Sequence, residues 1–199
     1  MPQELSLKDL KNLQEDDEID LSASGLTEVP RQLHLLPRLT NVDLGSNKLV
    51  SLPNEICSMK RLVKLELGNN RIHNLPNDIG NLASLQHLSL YNNQIEELPL
   101  SFANLKALKF LDLKNNPLEA KLAKVAGNCG NEKECRLAAP KVLAFVAENK
   151  RLFEFQKEKA DKILKKIHDK NEADLKKINK EKAKKEKAQK SLEGKEEFF

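Results

Sequence analysis

Aliphatic residues recur along the middle of the chain with a period of 23 residues. Leucine keeps this period from Leu21 to Leu113, and asparagine keeps it from Asn47 to Asn116. The unit reads L-x-x-L-x-L-x-x-N-x-[LI]-x-x-L-P-x-x-[IF]-x-x-[LM]-x-x, with its prolines at Pro30, Pro53, Pro76 and Pro99. Because so many positions stay in register, the pattern predicts a repeat protein.

Each copy contains a short segment with strand periodicity. Its L-x-L core alternates apolar and polar residues, which predicts a strand with leucines inward and the alternate residues facing solvent. The proline ends this inner segment and pre-sets φ for the return turn. Clean copies begin at Leu39, Leu62, Leu85 and Leu108, after an irregular copy at about 16–38. One copy buries too little to fold alone, so stacking into a solenoid with a concave parallel sheet is predicted.

The periodic asparagines are predicted to form a structural ladder. Each lies where the chain leaves the strand and buries its backbone. A carboxamide both donates and accepts, so a stack of them satisfies N–H and C=O groups of adjacent copies. The predicted ladder is Asn47, Asn70, Asn93 and Asn116.

Both ends of a stacked core need a cover. Leucines at near-helical spacing before residue 15 predict a short N-terminal helix, and apolar helical segments on either side of Gly127–Gly130 predict two helices behind the last repeat. The predicted organisation is an N-terminal cap at 1–15, repeats at 16–125, a helical C-terminal cap at 126–149 and a basic Lys/Glu-rich helix or disordered tail at 150–199.

The unit resembles the leucine-rich repeat in its 23-residue Leu-Pro form, which is typical of intracellular proteins. This resemblance implies an α/β solenoid of about five repeats with helical caps, followed by a charged C-terminal helix, and binding of protein partners. The order of repeats, cap segment 112–135 and Lys/Glu helix is similar to ribosome-associated leucine-rich repeat proteins of the endoplasmic reticulum. That similarity covers about residues 16–165 and implies ribosome association on the cytosolic side, although the family's C-terminal membrane anchor is absent from this sequence.

Solvent-facing strand positions are predicted to form columns across the concave sheet, in which successive members are about 5 Å apart because that is the spacing between strands. In one column, the carboxylates of Asp20, Asp43, Glu66 and Asp112 would repel one another and attract a basic ligand. The alternative is that Asp is frequent at this position of such repeats without any ligand. Phe110, Tyr91 and His87 form a predicted aromatic cluster and are candidate hot spots. The candidate protein-binding residues are Asp20, Asp43, Lys64, Glu66, His87, Tyr91, Phe110 and Asp112.

Charge is distributed unevenly, although the net charge is only +4. Residues 1–149 hold 17 Lys/Arg against 19 Asp/Glu, whereas residues 150–199 hold 17 against 11. Opposite charges four residues apart predict a solvated helix for the tail, with ragged heptads that indicate at most a short coiled coil. This helix is interpreted either as a plain spacer or as an attachment to RNA or acidic lipid. Any RNA contact would reach the backbone and weaken with salt.

Several classes of protein are disfavoured. No apolar run is long enough for a membrane span, and the N-terminus lacks a signal-peptide pattern, which predicts a cytoplasmic and not a secreted protein. Three cysteines predict no disulfide framework. Cys129 and Cys135 are expected to be buried packing residues, with a redox pair as the alternative. Cys57 is expected either to lie at the surface or to fill space in the core. The histidines are dispersed, so no metal site is expected.

No nucleotide, dinucleotide or nucleophile motif occurs, so neither enzyme activity nor a cofactor is predicted. Two functions remain open. One is a ribosome- or endoplasmic-reticulum-associated scaffold, with a concave face for proteins and a tail for polyanionic surfaces. The other is a soluble signalling adaptor or regulatory subunit whose tail is only a spacer. The sequence leaves the oligomeric state undetermined.

Overall fold

The computed structural model describes the backbone of residues 5–196, and side chains up to residue 172 and at 175–177. In this range six strands form one sheet, in chain order. Strand β1 is antiparallel to β2, and each later strand adds in parallel to the one before it. The strands are β1 (Gln14–Glu15), β2 (Glu18–Asp20), β3 (Asn41–Asp43), β4 (Lys64–Glu66), β5 (His87–Ser89) and β6 (Phe110–Asp112).

The register of the parallel strands equals the period of the sequence. Val42 pairs with Leu65, and Leu65 with Leu88, one repeat apart in each case. These central residues point inward and are almost fully buried, as are the leucines two positions later, Leu44 and Leu67. Each copy therefore covers the apolar face of the next, and the predicted α/β leucine-rich-repeat solenoid is confirmed.

Short 3₁₀ helices form the outer wall opposite the sheet. Two of them begin directly after Pro53 and Pro99, whose φ angles of −72° and −65° are those that the proline ring imposes. Each segment buries at least one apolar residue, namely Leu33, Ile56, Ile79 and Phe102, whereas Leu35 is exposed. Cys57 is buried beside Ile56, so it belongs to the core and not to the surface. The 3₁₀ segments are Leu33–Leu35, Asn54–Ser58, Ile79–Asn81 and Leu100–Asn104.

Helix α1 (Leu7–Leu13) covers the first copy and buries Leu10 completely. Its start is fixed by a capping box, in which the Ser6 hydroxyl accepts from the Asp9 N–H and the Asp9 carboxylate accepts from the Ser6 N–H. Immediately after α1 the chain forms β1, an antiparallel edge strand that the repeat pattern did not predict.

Two further helices follow the last repeat. Helix α2 (Ala120–Ala126) ends at Gly127, whose φ of 71° is a left-handed conformation that favours glycine. Helix α3 runs from Glu132 to Glu196 as one element. By its internal packing the chain nevertheless divides into two compact units, Met1–Lys150 and Arg151–Phe199. The first unit contains the sheet and its core.

The asparagine ladder joins consecutive copies by hydrogen bonds. The Asn70 amide donates to the carbonyl of Leu67 in its own copy and to that of Leu44 in the preceding copy, each at 3.0 Å. Its carbonyl oxygen accepts from the Leu49 N–H at 3.0 Å. Asn47, Asn93 and Asn116 make the equivalent bonds. Asn47, Asn70 and Asn93 are buried and Asn116 is half-buried. The ladder therefore takes the place of water as the hydrogen-bond partner of the backbone along the inside of the turns.

We predict that Asn70→Ala lowers the free energy of unfolding by about 1–3 kcal/mol, because buried backbone groups lose their partner. Asn77→Ala is the matched control, since Asn77 is exposed in the same copy. It should change the free energy of unfolding by less than about 0.5 kcal/mol. Urea denaturation of the three proteins measures the difference, and equal midpoints for the two variants would rule out a stabilising ladder at this position.

Candidate functional site

The strand register brings the predicted columns together on one side of the sheet. Asp43 lies between Asp20 and Glu66 on neighbouring strands, and the column continues through Ser89 to Asp112. A parallel column runs from Glu18 to Phe110. We call this surface, made by the solvent-facing positions of β2–β6 and the residues just after them, the concave face. Its role as a binding site stays a prediction.

The aspartates of the acidic column cap the ends of their own strands. The carboxylates of Asp20, Asp43 and Asp112 accept from the backbone N–H two residues later, at 2.8, 2.8 and 2.9 Å. Hydrogen bonds from Ser22 lower the pKa of Asp20, whereas burial raises that of Asp112 in spite of its cap bond. Asp at this position therefore has a structural role that requires no ligand, which is compatible with the alternative left open by the sequence. The prediction of a column of carboxylates that only repel one another was incomplete.

Glu66 forms the centre of a small charged network. Its Oε1 lies 3.3 Å from Lys64 Nζ and 2.9 Å from His87 Nε2, one strand further on. Burial pushes the pKa of Glu66 up, but the hydrogen bonds and charges of His87 and Lys64 outweigh it and hold that pKa below its usual value. Glu66 is thus ionised at neutral pH and already partly neutralised within the protein.

An aromatic platform lies beside this network. The rings of His87 and Phe110 stack at a centroid distance of 3.9 Å and an interplanar angle of 5°. Both side chains are half-buried, so part of each ring remains open to solvent. Tyr91 lies instead against Gly68, each two residues beyond the acidic column in its own repeat, and is not in this stack. The predicted three-residue cluster is therefore a stacked pair with Tyr91 apart from it.

The N-terminal half of the concave face contains a cavity of about 470 Å³. Five carboxylates and the single amine of Lys64 line it. One of the five, Glu15, belongs to β1, which no sequence signal indicated; only the antiparallel pairing of β1 with β2 brings it here. The lining residues are Leu13, Glu15, Glu18, Ile19, Asp20, Asn41, Val42, Asp43, Lys64 and Glu66. Acidic groups thus dominate this half, and the aromatic pair belongs to the other.

The cysteines agree with the expectation in part. Cys129 and Cys135 are buried, as expected of packing residues, but they are also joined by a disulfide with their Cα atoms 4.8 Å apart, so the interpretation as unlinked residues, which the sequence favoured over a linked pair, was wrong. The turn of Cys129 and the start of α3 place them together, a proximity that their spacing alone did not reveal. Cys57 remains a free thiol, and burial raises its pKa to about 11, with a contribution from the charge of Asp78.

The described side chains of the tail are solvated and partly paired. Lys162 contacts Glu158 and Lys176 contacts Glu172, each at 2.6 Å, and the Lys159 amine lies 4.4 Å from the Phe155 ring centre. Ile163 and Leu164 are more than half exposed. The coiled coil therefore stays a prediction. In the described part of the chain, no helix has the length and apolar character that crossing a membrane requires.

A comparison with known protein families supports the repeat seen in the sequence and in the sheet. The leucine rich repeat family model matches residues 60–118. Residues 60–118 therefore consist of leucine-rich repeats. Of the solved structures, an LRR protein of Leptospira interrogans is 30% identical with a TM-score of 0.37, covering 58% of this chain and 45% of its own. The BIR2 ectodomain of Arabidopsis thaliana is 29% identical with a TM-score of 0.46, covering 51% of this chain and 56% of its own.

This chain thus spans about half the length of those two structures. No curated protein sequence matches the chain significantly. Leucine-rich repeat domains generally mediate protein–protein interaction, and nothing in these matches points to catalysis.

We predict that His87→Gln raises the pKa of Glu66, because it removes the main group that opposes burial. A lowered pKa means that Glu66 stabilises the fold at neutral pH and that this contribution is lost as the pH falls through its folded pKa. The variant should therefore lose acid stability less steeply. NMR titration of the Glu66 carboxyl carbon measures the shift. His73→Gln, at an exposed position, is the control, and an equal Glu66 pKa in all three proteins would contradict the network.

Proposed function

We propose that this protein is a non-enzymatic scaffold whose concave face binds a basic segment of a protein partner. The observation that carries the proposal is the cavity lined by five carboxylates and one amine, next to the open His87–Phe110 stack. Such a surface offers ion pairs to Lys and Arg and a flat apolar patch to their aliphatic stems or to an aromatic anchor.

The capping role of the aspartates is compatible with binding. A carboxylate has two oxygens and about four acceptor positions, so one bond to a backbone N–H leaves capacity for a ligand cation. The cap also fixes the side-chain rotamer of Asp43, which reduces the entropy that binding would otherwise cost. The same bonds that stabilise the strand ends therefore pre-organise the face.

We further propose that the tail attaches the scaffold to a polyanionic surface, the ribosome being the candidate. Two features support this. One is the excess of 17 Lys/Arg over 11 Asp/Glu in residues 150–199, and the other is the resemblance of about residues 16–165 to leucine-rich repeat-containing protein 59, a ribosome-associated protein of the endoplasmic reticulum. Phosphate contacts by Lys and Arg give affinity without sequence specificity.

The second candidate function is a signalling adaptor whose tail is only a spacer. The internal pairs Glu158–Lys162 and Glu172–Lys176 favour it, because each pair neutralises a cation that the ribosome would otherwise attract. The concave face would have the same role in both cases. The two candidates therefore differ in the tail alone.

For the concave face, we expect the combined variant Asp43→Asn, Glu66→Gln to bind a fluorescent Lys/Arg-rich peptide about tenfold more weakly, a difference of about 1.4 kcal/mol. Both amides keep an oxygen that accepts hydrogen bonds, so the cap of Asp43 is retained while two charges are lost. The matched control is Glu28→Gln, Glu97→Gln, which removes two exposed charges outside the cavity. Fluorescence anisotropy measures affinity, and equal affinities for the two double variants would refute the acidic site.

For the tail, we expect the full chain to cosediment with purified ribosomes at low salt and to be released steeply as salt rises. A variant lacking Arg151–Phe199, the second compact unit, should stay in the supernatant. Pelleting is followed by gel densitometry, with circular dichroism to verify that the shortened chain is folded. If the full chain fails to pellet at any salt concentration, ribosome attachment is abandoned and the adaptor is favoured.

A further inference from the structure

Three side chains with metal-binding atoms meet behind the last repeat. A carboxylate oxygen of Asp112 and the sulfur atoms of Cys129 and Cys135 all lie within 4.8 Å of one another. Both cysteines are buried and Asp112 is half-buried. The cluster lies in the first compact unit, at the β6 end of the sheet, whereas the acidic cavity lies at the other end.

The surrounding bonds hold the three groups in place. The Cys129 sulfur also contacts the carbonyl of Leu111 at 3.5 Å, next to Asp112 in β6. On the other side, the Asn131 side chain accepts from the Glu134 N–H at 3.0 Å, and the Glu134 carboxylate accepts from the Gly130 N–H at 2.8 Å. These bonds fix the loop that carries Cys129 against the first turn of α3, which carries Cys135.

We propose that Asp112, and the thiolates of Cys129 and Cys135 in the reduced chain, bind a divalent cation of the zinc class. Two thiolates on one tetrahedral zinc ion lie about 3.8 Å apart, as follows from a bond of about 2.3 Å to each sulfur. Two cysteines whose Cα atoms are 4.8 Å apart span that distance by side-chain rotation alone. The Asp112 carboxylate supplies the third ligand, and water completes the tetrahedron.

The disulfide and the metal site are two states of one cysteine pair. A thiol-class reductant breaks the Cys129–Cys135 bond by supplying two electrons and two protons, which yields two thiols. The cation then replaces one proton on each sulfur, and two sulfur–metal bonds and one oxygen–metal bond form. Cys135 lies in the first turn of α3. Oxidation of the pair removes both sulfur ligands and abolishes binding.

The test uses Co²⁺ as a spectroscopic probe for the zinc class, added to the full chain after reduction and removal of the reductant under argon. We expect one Co²⁺ to bind per chain, with the near-ultraviolet charge-transfer bands of a thiolate–cobalt bond. Excess Zn²⁺ should abolish these bands, and the oxidised chain should show none. Reduced protein without thiolate–cobalt bands at millimolar Co²⁺ would overturn the proposal.

Three variants identify the ligands. Cys129→Ser should lose the bands of a two-thiolate site, and Asp112→Asn should weaken Co²⁺ binding at least about tenfold, the lower end of what even an outer-shell partner costs. The amide introduced by Asp112→Asn keeps an oxygen for the Lys114 N–H, so this variant tests the ligand with the cap retained. Cys57→Ala is the control and should bind as the unmodified chain does. Unchanged binding in Asp112→Asn, or loss of binding in Cys57→Ala, would contradict the site whether or not Cys129→Ser folds.

Discussion

The carboxamide that links each copy to the preceding one is the interaction on which the rest of the structure depends. A 23-residue copy ends its strand in a tight turn whose N–H and C=O groups are buried. Asn70 satisfies such groups in two copies at the same time. Since an unsatisfied buried backbone group costs about as much as a whole hydrogen bond contributes, each copy requires its neighbour. Apolar burial drives the stacking, and the ladder sets its register.

That register also creates the surface on which function is proposed. Any residue type repeated every 23 positions is brought next to its counterpart on the adjacent strand. This places Glu66 against His87 and His87 against Phe110, so an ion pair and a ring stack are made from residues far apart in the chain. Acidic side chains accumulate at one end of the sheet and aromatic ones at the other. A partner would encounter both along one continuous face.

The 23-residue period of the sequence was enough to predict the features that repeat in every copy of the sheet and its core. The parallel sheet, its register and the inward leucines follow from residues such as Leu44 and Leu67, because stacking admits only one arrangement for equal copies. It could not predict β1, since two residues carry no alternation and their pairing depends on the turn after α1. Nor did it predict the left-handed residue before each ladder asparagine, such as Asn69 at φ 55°, because that conformation follows from the turn and not from an apolar pattern.

The candidate site could also be predicted only in part: the residues that share a column followed from the sequence, but their side-chain contacts did not. The columns were visible in the sequence, but the cap of Asp43 and the separation of Tyr91 from the ring stack depend on side-chain rotamers that no spacing encodes. The approach of Cys129 to Cys135 depends on the loop between α2 and α3, which lies outside the repeats. The backbone register of the repeats could therefore be read from the sequence, whereas side-chain rotamers, the pairing of β1 and the approach of the two cysteines could not.

Native-state hydrogen exchange tests the ladder most directly. The amides of Leu26, Leu49, Ile72 and Ile95 each donate to the side-chain oxygen of a ladder asparagine and to no strand partner. If the ladder holds the copies together, these four amides exchange as slowly as those of the strands, such as Leu65. If they exchange at the rate of exposed turn amides while the strands stay protected, strand pairing and apolar packing hold the copies together without the ladder, and the account is contradicted.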